Sequence, residues 1–300
     1  MQGYPHQLGY RTGNSTKAQS GVCHTRTMPM DEHRAANRAN WDARVPIHIA
    51  SDEYGFHKYA ADLTHLSSVV RFDKDKMPNL AGKRLVHLQC HIGTDTVSLA
   101  RLGADVTGVD FSENAIEAAK ELSRSGGTPV DFVVSELYDS RKNLEGLFDV
   151  VYTGVGAINW LSDIRKWAEV VSSLLKPGGF LFIREGHPIG WTLDESDSEK
   201  LVIRYPYFET EFPNAWTEDT TYVGSGTLDA PQSFDWNHGM AEILQAVIDA
   251  GMSIDRVEEY DFCEWKMTEQ MVLGDDGLWR LPEGHNRVPL MWSLLATKSA

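Results

Sequence analysis

The chain has 300 residues, of which 42% are hydrophobic and 24% charged, and this is the composition of an ordinary globular protein. Its 43 acidic residues outweigh 28 basic ones, so the formal net charge is -15 and a nucleic-acid partner is disfavoured. No apolar run is long enough to cross a membrane, and three widely spaced cysteines favour a reducing compartment. We therefore expect a cytoplasmic protein.

The first 30 residues contain no acidic side chain and no apolar core of the kind found in secretory signals. Their three basic residues suit a transit peptide, but Pro5 and several glycines break the amphipathic helix that such a peptide forms. We therefore predict a disordered tail over residues 1–30, or sequence upstream of the true start.

A polar helix is predicted from Asp31 to Arg44, with Asp31 as its cap and Pro46 as its end. Trp41 is its one large apolar residue. Residues 31–80 are predicted to form a helical cap, and residues 81–300 to form the main domain.

The main domain alternates predicted strands with predicted helices. The strands are Leu85–Leu88, Val106–Asp110, Val130–Val134, Phe148–Tyr152, Phe180–Ile183, Ile254–Phe262 and Leu290–Thr297. The helices are Thr94–Leu102, a helix capped by Ser112, an apolar stripe from Ile164 to Leu175, and Met240 to Ile248. This order predicts an α/β fold with a doubly wound, mostly parallel seven-stranded sheet and helices on both faces.

Residues 188–235 depart from this alternation, because they are rich in aromatic, acidic and turn residues. They are predicted to form an insertion of short strands, or a lid, after the fifth strand. Their aromatic side chains suit an apolar or aromatic ligand, and a small satellite core explains them equally well.

The first strand runs into a tight loop, His87-Leu88-Gln89-Cys90-His91-Ile92-Gly93, and the second strand ends in Asp110. A βαβ unit with an acid about twenty residues beyond its loop indicates a site for a ribose-bearing cofactor. A nicotinamide site needs three glycines here: one for the tight turn, one for the approach of the backbone to the pyrophosphate, and one for helix–strand packing. Only Gly93 is a glycine, and a pyrophosphate is therefore disfavoured.

Four further motifs follow in order. They are Val109-Asp110-Phe111-Ser112, Ser135-Glu136-Leu137-Tyr138, Phe148-Asp149-Val150-Val151-Tyr152-Thr153 and Leu174-Leu175-Lys176-Pro177-Gly178-Gly179. With the loop, this set resembles the class I S-adenosylmethionine-dependent methyltransferases over about half the chain. The resemblance implies their Rossmann-like fold and the cofactor S-adenosylmethionine. It also implies a small-molecule acceptor methylated at O, N or C, since the loop is similar to that of a small-molecule methyltransferase subgroup.

The resemblance also assigns the cofactor site residue by residue. The loop from His87 to Gly93 would hold the methionine part, Asp110 the ribose hydroxyls, and Glu136 the adenine amino group. The helix around Trp41 resembles the one that closes over the cofactor. The implied binding residues are Trp41, His87, Gln89, His91, Gly93, Asp110, Phe111, Glu136, Leu137 and Thr153.

Three of these loop residues depart from the family. His87 replaces the family's acid, and Gln89 and His91 replace two of its glycines. A non-glycine residue with a positive φ is costly, so the loop either bends differently or tolerates the strain.

Catalytic residues are weakly encoded, because methyl transfer is an in-line displacement that mainly needs alignment and exclusion of water. His187 is a candidate general base after the fifth strand, with Glu185 to orient it or to pair with a cationic substrate. His238 is a second candidate before the last helix. The alternatives are structural: His187 bonding the turn before Pro188, and His238 capping the helix with Asn237. No His, Cys or Asp spacing indicates a metal site.

Other functions stay open. A cyclase or pericyclase would use the sulfonium only as a charge, and a non-catalytic module would bind the cofactor without turnover. A nicotinamide-dependent dehydrogenase is a distant alternative. A homo-oligomer stays open too, since the long N-terminal segment can lie against a neighbouring subunit.

Overall fold

The computed structural model describes residues 30–282 and 287–299, so the predicted tail lies outside the described residues except for Met30. The described helices are α1 (Met30–Ala50), α2 (Lys58–Ala61), α3 (Ser68–Asp73), α4 (Thr94–Arg101), α5 (Glu113–Ser125), α6 (Ser140–Asn143), α7 (Ile164–Leu174) and α8 (Met240–Asp249). None of these described helices is both long and apolar enough to cross a membrane.

The strands include two short pairs besides those of the main sheet. They are β1 (Arg84–Leu88), β2 (Asp105–Asp110), β3 (Asp131–Val134), β4 (Phe148–Thr153), β5 (Leu175–Gly186), β6 (Asn214–Thr217), β7 (Gln232–Asp235), β8 (Met252–Tyr260), β9 (Val272–Leu273), β10 (Trp279–Arg280) and β11 (Met291–Lys298).

The main sheet has seven strands in the order β3-β2-β1-β4-β5-β11-β8. The first five are mutually parallel, and β11 runs antiparallel to both β5 and β8. The predicted mostly parallel, seven-stranded sheet is confirmed. In register, Leu88 pairs with Val109 on one side and Thr153 on the other, so the carboxyl ends of β1, β2 and β4 meet at one edge. Ligands of doubly wound folds bind at this edge.

Both faces of the sheet are covered. Val86 of β1 belongs to the core cluster that includes Trp167 of α7 and Val247 of α8, whereas its neighbour Leu85 belongs to the cluster on the other face. Successive strand residues point to opposite faces, which explains this division. Full burial of one such side chain contributes about 1.5–3 kcal/mol, so these layers hold the carboxyl edge in place.

Helix α1 is longer than predicted. The prediction that Pro46 ends it is wrong, because the helix continues one turn beyond the proline to Ala50. A proline inside a helix removes one backbone hydrogen bond and costs about 3 kcal/mol. Here the last turn buries His48 against the rest of the protein, and its tertiary contacts override the local preference.

Strand β5 is also longer than predicted. It starts at Leu175 rather than at Phe180, so it includes the Lys-Pro-Gly-Gly segment, and it ends at Gly186 rather than at Ile183. Its pairing with β4 shifts register between Phe148 and Val150, and Gly178 has a φ of 74°. The segment therefore forms an irregularity, like a bulge, within β5.

Residues 188–235 contain the antiparallel pair β6–β7, which lies against α1. Asn37 of α1 donates to the carbonyl of Phe234 and accepts from its N–H, at 2.8 and 2.7 Å. Asn40 donates to the carbonyl of Ala230 at 2.7 Å. These side chains satisfy backbone groups of β7 and of the residues just before it, and they join α1 to the segment after β5.

Candidate cofactor site

The loop after β1 bends as a glycine loop would. Gln89 and His91 have φ values of 55° and 48°, in the left-handed region, where a non-glycine residue is strained. Side-chain and backbone contacts offset this strain: the Gln89 amide donates to the carbonyl of Ala157 at 2.8 Å, and the His91 N–H donates to Asp110 at 2.8 Å. The loop thus tolerates the strain and keeps the glycine-like bend.

Gly93 has a different reason to be glycine. It precedes α4 with a φ of 80°, and a Cβ at this position would lie only 2.7 Å from the Cβ of Ala119 on α5. Its absent side chain therefore allows the loop to pack against α5, which fixes where the first turn of α4 begins.

Asp110 ends β2 beneath this loop and is buried. One carboxylate oxygen accepts from the His91 N–H, and the other accepts from the Ser112 N–H at 2.9 Å. Burial raises the pKa of Asp110 to about 6, with a further contribution from the nearby Asp42 carboxylate. Each carboxylate oxygen has about two acceptor positions, so Asp110 keeps capacity for two further hydrogen bonds.

An open cleft of about 710 Å³ lies between α1 and the ends of β2 and β3. Glu136 lies in it, with one oxygen accepting from the Tyr138 N–H at 2.6 Å and the other 3.8 Å from the Arg34 Nε. Burial raises the pKa of Glu136. The lining residues are Asp31, Arg34, Ala35, Arg38, Ala39, Asp42, Phe111, Val134, Ser135, Glu136, Asp139 and Asn143. The cleft therefore brings the predicted Phe111 and Glu136 together on the α1 side.

Aromatic rings close the other end of the site. Trp41 of α1 lies 4.9 Å from the His91 ring and 5.3 Å from the Trp160 ring, measured between centroids. His48 stacks on Tyr54 at 4.8 Å and lies 5.0 Å from Tyr222. We call these six residues, Trp41, His48, Tyr54, His91, Trp160 and Tyr222, the aromatic roof.

Hydrogen bonds connect the aromatic roof across three segments. His48 Nδ1 and His91 Nε2 are 2.8 Å apart, and His48 Nε2 is 2.8 Å from the Thr221 hydroxyl. The Tyr54 and Tyr222 hydroxyls are 2.5 Å apart. Burial lowers the pKa of His48 to about 2 and that of His91 to about 3, so both rings are neutral near pH 7.

The sequence analysis missed His48, Tyr54 and Tyr222. His48 lies seven residues after Trp41, which is two helical turns and therefore the same face of α1. This spacing points to His48 only when the helix is taken to continue past Pro46. No local signal links Tyr222 to α1, because the contact spans well over a hundred residues.

Two predicted residues lie behind the loop. Leu137 belongs to the main core cluster, so its side chain packs inward. His87 is buried, its Nδ1 is 2.9 Å from the Thr96 hydroxyl, and burial lowers its pKa to about 3.

Buried polar atoms without partners mark the same edge. Among the described residues, eight buried side-chain polar atoms make no hydrogen bond within the protein, and two of them, the Gln89 Oε1 and the Thr153 hydroxyl, lie at this edge. Such groups are rare, because an unpaired buried polar atom costs about 1–3 kcal/mol. Both belong to the predicted cofactor residues, and a polar ligand at this edge fits them.

The predicted catalytic pair after β5 is arranged differently from the prediction. The Glu185 carboxylate accepts from the N–H groups of Gly156, Ala157 and Ile158 at 2.6 to 2.9 Å. His187 Nε2 instead lies 2.9 Å from Glu259. The carboxylate that orients His187 is therefore Glu259, and Glu185 holds the loop after β4.

His187 and His238 both make structural contacts. His187 Nδ1 accepts from the Ile189 N–H at 3.1 Å, within the turn that contains Pro188. His238 Nδ1 is 2.7 Å from Glu209, and its Nε2 faces the carbonyls of Ile158 and Leu161. Helix α8 is capped by Gly239, whose N–H donates to Glu242, rather than by Asn237.

A family model described as a methyltransferase domain matches residues 86–181, which run from β1 into β5 and include Asp110, Glu136 and Thr153. The part of the chain that carries the predicted cofactor residues is therefore similar to a methyltransferase domain.

The chain is similar to ubiquinone biosynthesis O-methyltransferases. It is 31% identical over 108 residues to the one from Chromobacterium violaceum, in a match that covers 36% of this chain and 46% of that protein. It is 36% identical over 104 residues to the one from Xanthomonas euvesicatoria, covering 35% and 43%. The chain therefore spans under half the length of these curated relatives.

A solved structure of an S-adenosylmethionine-dependent methyltransferase from Clostridium acetobutylicum is similar over more of the chain. The TM-score is 0.51 at 14% identity, covering 81% of this chain and 92% of that one. This likeness confirms the predicted Rossmann-like methyltransferase fold.

Proposed function

We propose that this protein transfers the methyl group of S-adenosylmethionine to a small molecule. One observation carries the proposal: two non-glycine residues, Gln89 and His91, hold the strained bend of a glycine loop directly beside Asp110. Strained backbone of this kind persists where the surroundings fix it, and it clusters at ligand sites.

The residues present fit the cofactor part by part. Asp110 has acceptor capacity for two ribose hydroxyls, and Glu136 places a carboxylate in the open cleft for the adenine amino group. The Gln89 Oε1 and the Thr153 hydroxyl are unpaired polar atoms at the same edge of the sheet. When bound, the cofactor supplies an electrophilic methyl group and a thioether leaving group.

The aromatic roof suits the transfer step. Its rings lie beside the loop that would hold the methionine part, and aromatic faces attract cations, as they do here with the Arg44 guanidinium over Trp41 and Tyr222. An apolar or aromatic acceptor would pack against the same rings. The names of the similar O-methyltransferases favour an oxygen as the accepting atom.

The candidates for a general base remain His187, which Glu185 was predicted to orient, and His238. Their polar atoms are engaged within the fold, which favours positioning of the loops after β4 and β5 over proton transfer. A base is needed only if the acceptor loses its proton early, so an acidic phenol would need none.

Calorimetry tests the proposal on the full chain. S-adenosylhomocysteine should bind, and Asp110→Ala should weaken it at least tenfold, or roughly 1.4 kcal/mol. Asp131→Ala is the matched control, because it removes an exposed carboxylate at the amino end of β3, on the opposite edge of the sheet. Unchanged affinity in the Asp110 variant, or no binding by the wild type, would remove the assignment.

Product mass separates methyl transfer from its main alternative. A methyltransferase adds one methyl group to its acceptor and releases S-adenosylhomocysteine, whereas a cyclase or pericyclase adds nothing. Binding with no turnover across phenolic, amine and carbon acceptors would instead favour a non-catalytic module.

A further inference from the structure

Position 87 carries no negative charge. The family resemblance places an acid at the end of β1, and His87 occupies that position here. Its ring is buried against Tyr152, with centroids 5.0 Å apart, and burial lowers its pKa to about 3. The imidazole is therefore neutral near pH 7, and a ligand ammonium group finds no countercharge on it.

A carboxylate reaches the same place from the next element. Asp95 lies in the first turn of α4. A Cβ built on Gly154, just after β4, would lie 3.4 Å from His87 Nε2 and 3.5 Å from Asp95 Oδ2. Both side chains therefore face the same stretch of backbone, and Thr153, with its unpaired buried hydroxyl, immediately precedes it.

The charges around Asp95 favour a cation. The buried Arg184 pairs with Asp73 and lies 3.0 Å from a Glu264 oxygen. Burial raises the pKa of Asp95 to about 6, the Asp73 and Glu264 carboxylates raise it further, and Arg184 and a hydrogen bond with Ser67 act in the opposite direction. Asp73 and Glu264 thus pair with this guanidinium, and both carboxylates act on Asp95 from nearby.

We propose that Asp95 takes over the countercharge that position 87 has lost, and that it binds the ammonium group of the cofactor's methionine part. The proposal rests on the proposed function. In it, the carboxylate that faces the ammonium group comes from the first turn of α4 instead of the end of β1. Gly154 is part of it, since this residue places no side chain against His87 and Asp95.

Two ligands test this assignment. S-adenosylhomocysteine carries the ammonium group, whereas 5′-methylthioadenosine keeps the adenosine and thioether but has no amino acid part. By calorimetry near neutral pH, Asp95→Asn should weaken S-adenosylhomocysteine roughly tenfold or more and change 5′-methylthioadenosine less than about twofold. Asp131→Asn, with the same loss of one charge on an exposed residue, should change neither.

The outcomes separate the two proposals. If S-adenosylhomocysteine binds Asp95→Asn as it binds the wild type, Asp95 is not the partner while the proposed function stands. If both ligands weaken equally, or the Tm of the variant falls sharply, Asp95 has a structural role and the inference fails. If the wild type binds neither ligand, the proposed function fails and takes this inference with it.

Discussion

The loop after β1 and the end of β5 lie at the same edge of the sheet, yet their polar groups are used in opposite ways. At the loop, the backbone is strained at Gln89 and His91, and the Gln89 Oε1 has no partner. At the end of β5, Glu185 accepts three backbone N–H groups and His187 is paired with Glu259. Strain and unpaired atoms indicate a ligand site, whereas complete pairing indicates a structural joint.

The largest effect is expected from a change at Glu185. Glu185→Ala would leave three buried N–H groups without an acceptor, so we expect it to lower the free energy of unfolding by about 3 kcal/mol or more. For a chain of this size that corresponds to a fall in Tm of roughly 6–12 °C. Denaturant unfolding and a thermal melt measure both quantities.

A catalytic Glu185 would behave differently. Glu185→Gln keeps the size of the side chain and one acceptor oxygen, so it should recover part of the lost stability. A variant of normal stability that binds S-adenosylhomocysteine normally but has lost turnover would show that the end of β5 is part of the reaction site.

Substitution of His91, one of the two strained residues, tests the loop. Valine is β-branched and fits a positive φ poorly, so we expect His91→Val to cost about 1–2 kcal/mol of stability and to weaken S-adenosylhomocysteine roughly tenfold. His91→Gly relieves the strain but removes the ring that contacts Trp41 and His48. We expect it to bind several-fold better than the valine variant.

Circular dichroism and calorimetry on the two variants give the comparison. Equal affinity of His91→Val and His91→Gly would mean that backbone conformation at this position is irrelevant to binding, and the argument from strain would be lost.

These two regions also explain what the sequence could predict. The strand order, the edge and the positions of Asp110 and Glu136 follow from local periodicity and from motifs in register, and the structure bears out the seven-stranded sheet. For the loop at Gln89 and His91, the sequence leaves two alternatives open, a different bend or a strained one. Contacts with Ala157 and Asp110 decide between them.

The remaining differences come from long-range contacts. Pro46 was predicted to end α1, and only the burial of His48 beside the loop and Thr221 shows why the helix continues. Glu185 and His187 are only two residues apart, but β5 ends at Gly186 between them, so the regular alternation of a strand does not bring their side chains together. Their actual partners lie in the loop after β4 and in β8.

The smallest expected effect is a pH dependence of opposite sign for stability and for binding. Burial raises the pKa of Asp95 and of Asp110 to about 6 in the fold, above their ordinary values. The folded state therefore binds more protons, and the stability from these two groups is present at low pH and is lost as the pH rises through about 6. The ammonium and ribose contacts need the charged carboxylates, so S-adenosylhomocysteine should bind several-fold more weakly at about pH 5.5 than at about pH 7.5.

Thermal melts of the ligand-free protein and calorimetry over this range measure the two trends. Asp95→Asn should flatten both curves, since it removes one titrating group, whereas Asp131→Asn, whose carboxylate is exposed, should leave both slopes unchanged. A binding curve that is flat with pH in the wild type would mean that neither carboxylate needs its charge to hold the cofactor. The contrast between a charged, ligand-directed loop and a fully paired strand end would then have to rest on strain alone.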